Sequence, residues 1–153
     1  MTLLSGAASA QCGDQRLVLD CAIGSKALTV CVSDATATYA FGPRDAPELA
    51  LTQSLDAVTA TPWPGIGRSI YEDVTFTNGS VSYTTWISVD RLAENQPTSG
   101  GVIVSQSGKT LAELTCAEGT AQIGVFAIAD AMANAGYCVD RSAGIYTRQC
   151  PQE

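Results

Sequence analysis

The sequence predicts a mainly β fold, an antiparallel barrel or sandwich built from hairpins, with one C-terminal α-helix and three disulfides. Three observations carry this expectation. Glycine-bearing dipeptides punctuate runs rich in β-branched and aromatic residues over the first two-thirds of the chain. Helical spacing of apolar residues begins only near Ala121. Finally, Cys12, Cys21, Cys31, Cys116, Cys138 and Cys150 form an even set in a chain without histidine, the cysteine usage of an oxidising compartment.

The elements follow in order. The chain opens Met-Thr-Leu-Leu-Ser-Gly-Ala-Ala-Ser-Ala, and Ala8-Ser9-Ala10 has the small-x-small form that signal peptidases cut. Residues 1–10 are therefore read as a signal-peptide remnant or a disordered N-terminus, and 11–153 as a single β-rich domain. Its helical, disulfide-bearing extension starts from about residue 120. Gly24-Ser25 between Leu17–Ile23 and Lys26–Val32 predicts a hairpin with Leu17, Leu19, Cys21, Leu28, Val30 and Val32 on one face. Cys31 falls on the other face, so Cys21 and Cys31 cannot bond to one another despite their closeness. Thr36–Phe41 and Glu48–Thr52 read as shorter strands and residues 53–67 as a loop.

Asn78-Gly79 marks the strongest hairpin, between Arg68–Phe76 and Ser80–Val89. The expected pairs are Thr77 with Ser80, Phe76 with Val81, Val74 with Tyr83 and Ile70 with Ile87, which collects Ile70, Val74, Phe76, Val81, Tyr83 and Ile87 on the core face. Asp73, Thr75, Ser82 and Thr84 face away, with Tyr71 directly across from Trp86. Gln96–Gly101 reads as a loop, and Ser107-Gly108 turns a third hairpin between Val102–Gln106 and Lys109–Cys116. From Ala121, the spacing of Val125, Ile128, Ala129 and Met132 predicts a helix of about four turns that Gly136 ends. The polar tail then favours a Cys138–Cys150 loop. Of the three pairings open to the other four cysteines, Cys21–Cys116 with Cys12–Cys31 is preferred.

Charge and composition narrow the function. With 15 acidic against 8 basic residues and a net charge of -7, the chain lacks the basic clusters that nucleic acid or an anionic membrane surface demands, whereas a basic protein partner is permitted. No stretch approaches the roughly 18 apolar residues of a membrane span. Without histidine there is no Ser-His-Asp or Cys-His system, and the cysteine spacings match no zinc site, so no cofactor or metal is expected. A carboxylate-only hydrolase would have to draw on Glu72, Asp73, Asp90 or Glu94. Glu72 and Asp73 point to opposite sides of their strand, and Glu72 falls on the core face, near a strand end or beside a partner such as Arg91. The segment Thr61-Pro-Trp-Pro-Gly-Ile-Gly-Arg68 invites a binding reading. Trp63 and Arg68, with Tyr71 and Trp86, are the candidate binding residues, although Trp63 would serve equally to plug the end of the barrel.

The framework Cys21…Gly24-Ser-Lys26-Ala-Leu28-Thr-Val30-Cys31, Trp63-Pro-Gly-Ile-Gly-Arg68, Asn78-Gly79…Tyr83, Asp90-Arg91 and Gly100-Gly101-Val…Gly108-Lys109…Cys116 resembles a family of exported, β-rich periplasmic proteins of Gram-negative bacteria. The resemblance covers roughly Leu17–Cys116 and implies no particular activity. A looser resemblance is to periplasmic lysozyme inhibitors, small β-barrels that insert a Ser-Gly-x-x-Tyr loop into the enzyme's cleft. The corresponding stretch is Gly67-Arg-Ser-Ile-Tyr71, with one residue more between glycine and tyrosine and no serine before Gly67. The expectation is a periplasmic or secreted, non-enzymatic binding module, an inhibitor of a cationic hydrolase such as lysozyme. A carboxylate-only hydrolase and an envelope structural or stress protein are the alternatives.

Overall fold

Each predicted glycine-bearing turn folds a strand back on its neighbour, and the resulting pairs continue into two five-stranded antiparallel sheets. The computed structural model describes residues 11–151, so the leader expected over 1–10 lies outside the described residues. The first sheet contains β1 (Arg16–Ile23), β2 (Lys26–Val32), β3 (Thr36–Gly42), β4 (Leu49–Ser54) and β10 (Gln122–Ile123), in the order β10-β1-β2-β3-β4. The second runs in chain order through β5 (Thr59–Thr61), β6 (Ser69–Asn78), β7 (Val81–Asp90), β8 (Thr98–Gln106) and β9 (Lys109–Thr115). The helix α1 (Ala127–Asn134) and the hairpin of β11 (Cys138–Asp140) and β12 (Ile145–Thr147) complete the fold.

The sheets face one another as a sandwich and do not close into a barrel. Period-two alternation supplies both inner faces: Leu19, Leu28 and Val30 from the first sheet and Val74, Phe76, Ile87 and Val102 from the second are buried. The Tyr39 ring bridges the layers, 5.6 Å from Phe76 and 5.4 Å from Tyr83. Apolar burial of this kind contributes about 25 cal/mol per Å2 and is the main term holding the sheets together. The helix α1 lays Ala127, Ile128, Ala131 and Met132 against β1 and β2, joining the same core.

All three disulfides have the expected pairing, Cys12–Cys31, Cys21–Cys116 and Cys138–Cys150. Cys116 follows β9 where the chain crosses to the first sheet, so its bond to Cys21 ties the two layers at that crossing. The adjacent Ala117 N–H donates to the Ala22 carbonyl at 2.8 Å.

Six details differ from the sequence reading, each for a tertiary reason. The central turn is Gly79-Ser80, with Asn78 paired to Val81, so Phe76 faces Tyr83, Val74 faces Thr85 and Ile70 faces Val89. The register is displaced by two residues, which keeps every side chain on its expected face. A bulge between Leu17 and Leu19 buries Val18 and leaves Leu17 half-buried. Residues 53–67 contain the end of β4 and the short strand β5, which adds to the edge of β6. Thr98–Gly101 is strand, not loop: the glycines run through a crowded site where a Cβ on Gly100 would lie 2.8 Å from Leu19 and one on Gly101 would collide with the Leu114 carbonyl oxygen. The helix is eight residues long, because Gln122 and Ile123 pair with β1 instead. Gly136 does end it, at φ +97, with a Schellman pair of bonds from Gly136 N–H to Ala133 and from Tyr137 N–H to Met132. The polar tail expected after the helix is folded as the β11–β12 hairpin.

Candidate functional site

The four candidate binding residues divide into two places. Alternation along β6 and β7 turns Tyr71, Asp73 and Trp86 to the outer face of the second sheet. Tyr71 is paired with Ser88, so it meets Trp86 as a diagonal neighbour and not directly across, yet the rings lie within 15° of parallel with centroids 6.3 Å apart. Face-to-face contact would bring them to roughly 3.5–4 Å. They are therefore an offset, near-parallel pair on this outer face.

Register explains what surrounds the pair. Asp73, Trp86, Gly101 and Thr115 stand in one rank across four strands. The Trp86 indole nitrogen reaches over Gly101, where a Cβ would come within 3.1 Å of it. An open groove of about 300 Å3 follows, lined by Tyr71, Trp86, Ile103, Glu113, Leu114 and Thr115. Burial pushes the Asp73 carboxyl above the ordinary range, against hydrogen bonds from Thr61 and Tyr71 that favour its charged form. Burial also raises the Tyr71 hydroxyl, with Asp73 adding to the shift. The surface joins apolar area, hydroxyls and acidic groups.

Trp63 and Arg68 stand apart from this groove. Trp63 is half-buried against Phe126, ring centroids 6.1 Å apart, and the Arg91 guanidinium lies 4.8 Å above its ring. With Pro62, Pro64, Val139, Arg141 and Gly144 it lines a separate cavity of about 100 Å3. The exposed Arg68 donates from Nε to both Asp90 oxygens at 2.9 Å. Asp90 also accepts the Leu92 and Ala93 N–H groups at 3.2 Å, and the Arg68 guanidinium first among these donors holds its carboxyl below the usual carboxylate range. Arg68 is thus pinned to the β6–β7 strand ends, with one edge of its guanidinium committed.

The carboxylates do not converge. Glu72 is buried inside the sandwich, where its Oε1 accepts the Phe126 N–H at 2.7 Å and its Oε2 has no partner among the described residues. Burial raises its pKa, and Asp130 adds to the shift. Its partner is thus the backbone before α1 and not Arg91, which donates instead to the Gly67 carbonyl at 2.9 Å. Asp73 points the opposite way, and Glu113 lies three strand spacings from it, roughly 14 Å, beyond the separation at which two carboxylates act on one glycosidic bond. Among the described residues no group of three His, Cys, Asp or Glu side chains could hold a metal ion, and no helix is long and apolar enough to cross a membrane.

Sequence reasoning put Tyr71, Trp86 and Asp73 on one outer face but missed Glu113 and Thr115 as walls of the groove and Gly101 as the residue beneath the indole. Two glycines inside an alternating strand pattern were the available signal, since they mark close approach of another group. Comparison of the chain with family models, with curated proteins and with solved structures gives no match.

Proposed function

We propose that the protein is an exported, non-enzymatic binding module that holds a basic protein partner, a cationic hydrolase such as lysozyme, against the outer face of its second sheet. The observation that carries this is the open groove where Tyr71 and Trp86 lie beside Asp73 and Glu113. Large aromatics supply most of the energy at protein interfaces, and an acidic surface speeds encounter with a basic one. A net charge of -7 extends that attraction beyond the groove. Three cystines support placement in the periplasm or outside the cell, where disulfides persist. The divergent directions of Glu72 and Asp73 support binding over carboxylate-only hydrolysis.

A lysozyme turbidity assay tests the reading. Wild-type protein is expected to slow lysis at micromolar concentration, less so as salt rises. Trp86→Ala is expected to weaken inhibition at least tenfold, in the range of interface hot spots. Arg68→Ala is expected to change it by less than about threefold, since Arg68 is already engaged by Asp90 and a rim charge contributes little. No inhibition by the wild type rejects this partner, and full activity of Trp86→Ala rejects this face.

A further inference from the structure

We infer that the Tyr71–Trp86 groove receives one arginine side chain of the partner, its guanidinium stacking on an aromatic ring of the pair with Glu113 in the groove wall as its carboxylate. The inference rests on the binding reading above and names the chemistry of that contact.

The molecule repeats one arrangement elsewhere on its surface. Lys26 Nζ sits 5.5 Å from the centre of the Phe41 ring and binds Glu48 at 2.7 Å. The Arg148 guanidinium lies 4.6 Å from the Tyr137 ring centre and binds Asp56 at 2.9 Å. Arg91 covers Trp63 and donates to the Gly67 carbonyl. In each case a cation is shared between an aromatic face and an oxygen acceptor, which satisfies both its charge and its donors. Tyr71 and Trp86 have the same ingredients, two near-parallel rings with carboxylates close by, and among the described residues no lysine or arginine lies over either ring. Arg16, Arg44 and Arg68 are held elsewhere by Asp34, Asp20 and Asp90, Lys109 is paired with Gln106 at the turn end of β9, and Arg141 lines a separate cavity with Trp63. The cation that completes the arrangement therefore comes from another molecule.

Shape selects arginine among cations. A guanidinium is planar, stacks on aromatic rings and keeps its edge donors free for carboxylates, whereas an ammonium is a compact, strongly hydrated point charge. The outer rank adds acceptors at the right level: Thr115 stands beside Trp86 across Gly101, and Asp73 stands beside it on β6. Gly101 is the positioning residue, because a side chain there would collide with the Leu114 carbonyl oxygen and the indole.

The test is a titration of the intact, disulfide-bonded protein with acetyl-arginine methylamide, followed by amide and indole NMR shifts, with the citrulline analogue as the neutral isostere. Saturable shifts at the Trp86 indole and the Gly101 and Thr115 amides are expected. Citrulline should bind roughly fivefold or more weakly, and Glu113→Gln should lower arginine affinity about two- to fivefold. Glu113→Gln lies on the exposed edge strand, so it tests the site without endangering the fold. Equal binding of citrulline and arginine, arginine shifts that map elsewhere, or binding of N,N′-diacetylchitobiose in the groove without arginine binding would each overturn the inference. The two proposals fail separately. Lysozyme inhibition without arginine binding rejects only this contact, and arginine binding without inhibition rejects only lysozyme as the partner.

Discussion

Glu72 shows how much one side chain can set against a fold. Its carboxyl is enclosed, one oxygen is bonded to the Phe126 N–H and the other to no group among the described residues, while Asp130 on α1 and Tyr146 on β12 lie near it. An enclosed anion is costly unless paired, so the folded pKa lies above the unfolded value of about 4.3. The sign follows from proton linkage: between the two pKa values the native state binds the extra proton, so this group's stabilisation is complete below the unfolded pKa and is lost as pH rises through the folded one. Glu72→Gln keeps an acceptor for Phe126 and removes the charge. Denaturant unfolding of both proteins at pH 4 and pH 7 should show the variant gaining on wild type at the higher pH. A difference that is the same at both pH values would mean that Glu72 does not titrate in the folded state as its burial requires.

At the scale of elements, turn chemistry and packing divide the control of the β6–β7 hairpin. Gly79 sits at φ +63 in the first central position of the turn, a conformation that costs a branched residue about 1–2 kcal/mol, so Gly79→Val should lower stability by that amount in denaturant unfolding. Phe76 is wholly buried and Trp86 lies on the outer face, so Phe76→Ala should cost about 3–5 kcal/mol and Trp86→Ala distinctly less. The reverse order would place the wrong face inside. Much of this was legible beforehand because both signals are local: a glycine dipeptide marks the turn, and alternation assigns the faces. A two-residue displacement leaves that alternation unchanged, which is why the pairing of Tyr71 could not be read from pattern alone. The strands β5 and β10 were hidden for another reason. They are two or three residues long and exist only because β6 and β1 offer them edges from distant parts of the chain. The groove shares that limit: Tyr71 and Trp86 are visible as outward aromatics, but Glu113 and Thr115 join them only through two further strand pairings.

Across the whole molecule, the three disulfides constrain different things, and their burial predicts the order in which they open. Cys21–Cys116 closes a loop with a sequence separation of 95 and joins the two sheets, with both residues buried. In the chain-entropy model such a loop contributes about 4.7 kcal/mol, against about 3 kcal/mol for a loop as short as that between Cys138 and Cys150. Cys12 and Cys31 are also buried, so the N-terminal segment shields its own bond on the outer face of the first sheet. Cys150 is exposed, and its partner Cys138 belongs to the short two-stranded β11–β12 hairpin. Thiol exchange needs access to a sulfur, so mild reductant under native conditions should open Cys138–Cys150 first. Brief reduction followed by alkylation and peptide mass analysis should find label on Cys138 and Cys150 while the other four cysteines remain paired. The doubly substituted Cys21→Ala, Cys116→Ala protein should unfold at much lower denaturant than the Cys138→Ala, Cys150→Ala protein, which should keep its sandwich and lose order only around β11 and β12. Labelling of Cys21 or Cys116 before Cys138 would show that the sheets separate more readily than the tail hairpin opens, and the inter-sheet bond would then not be the clasp that this fold requires.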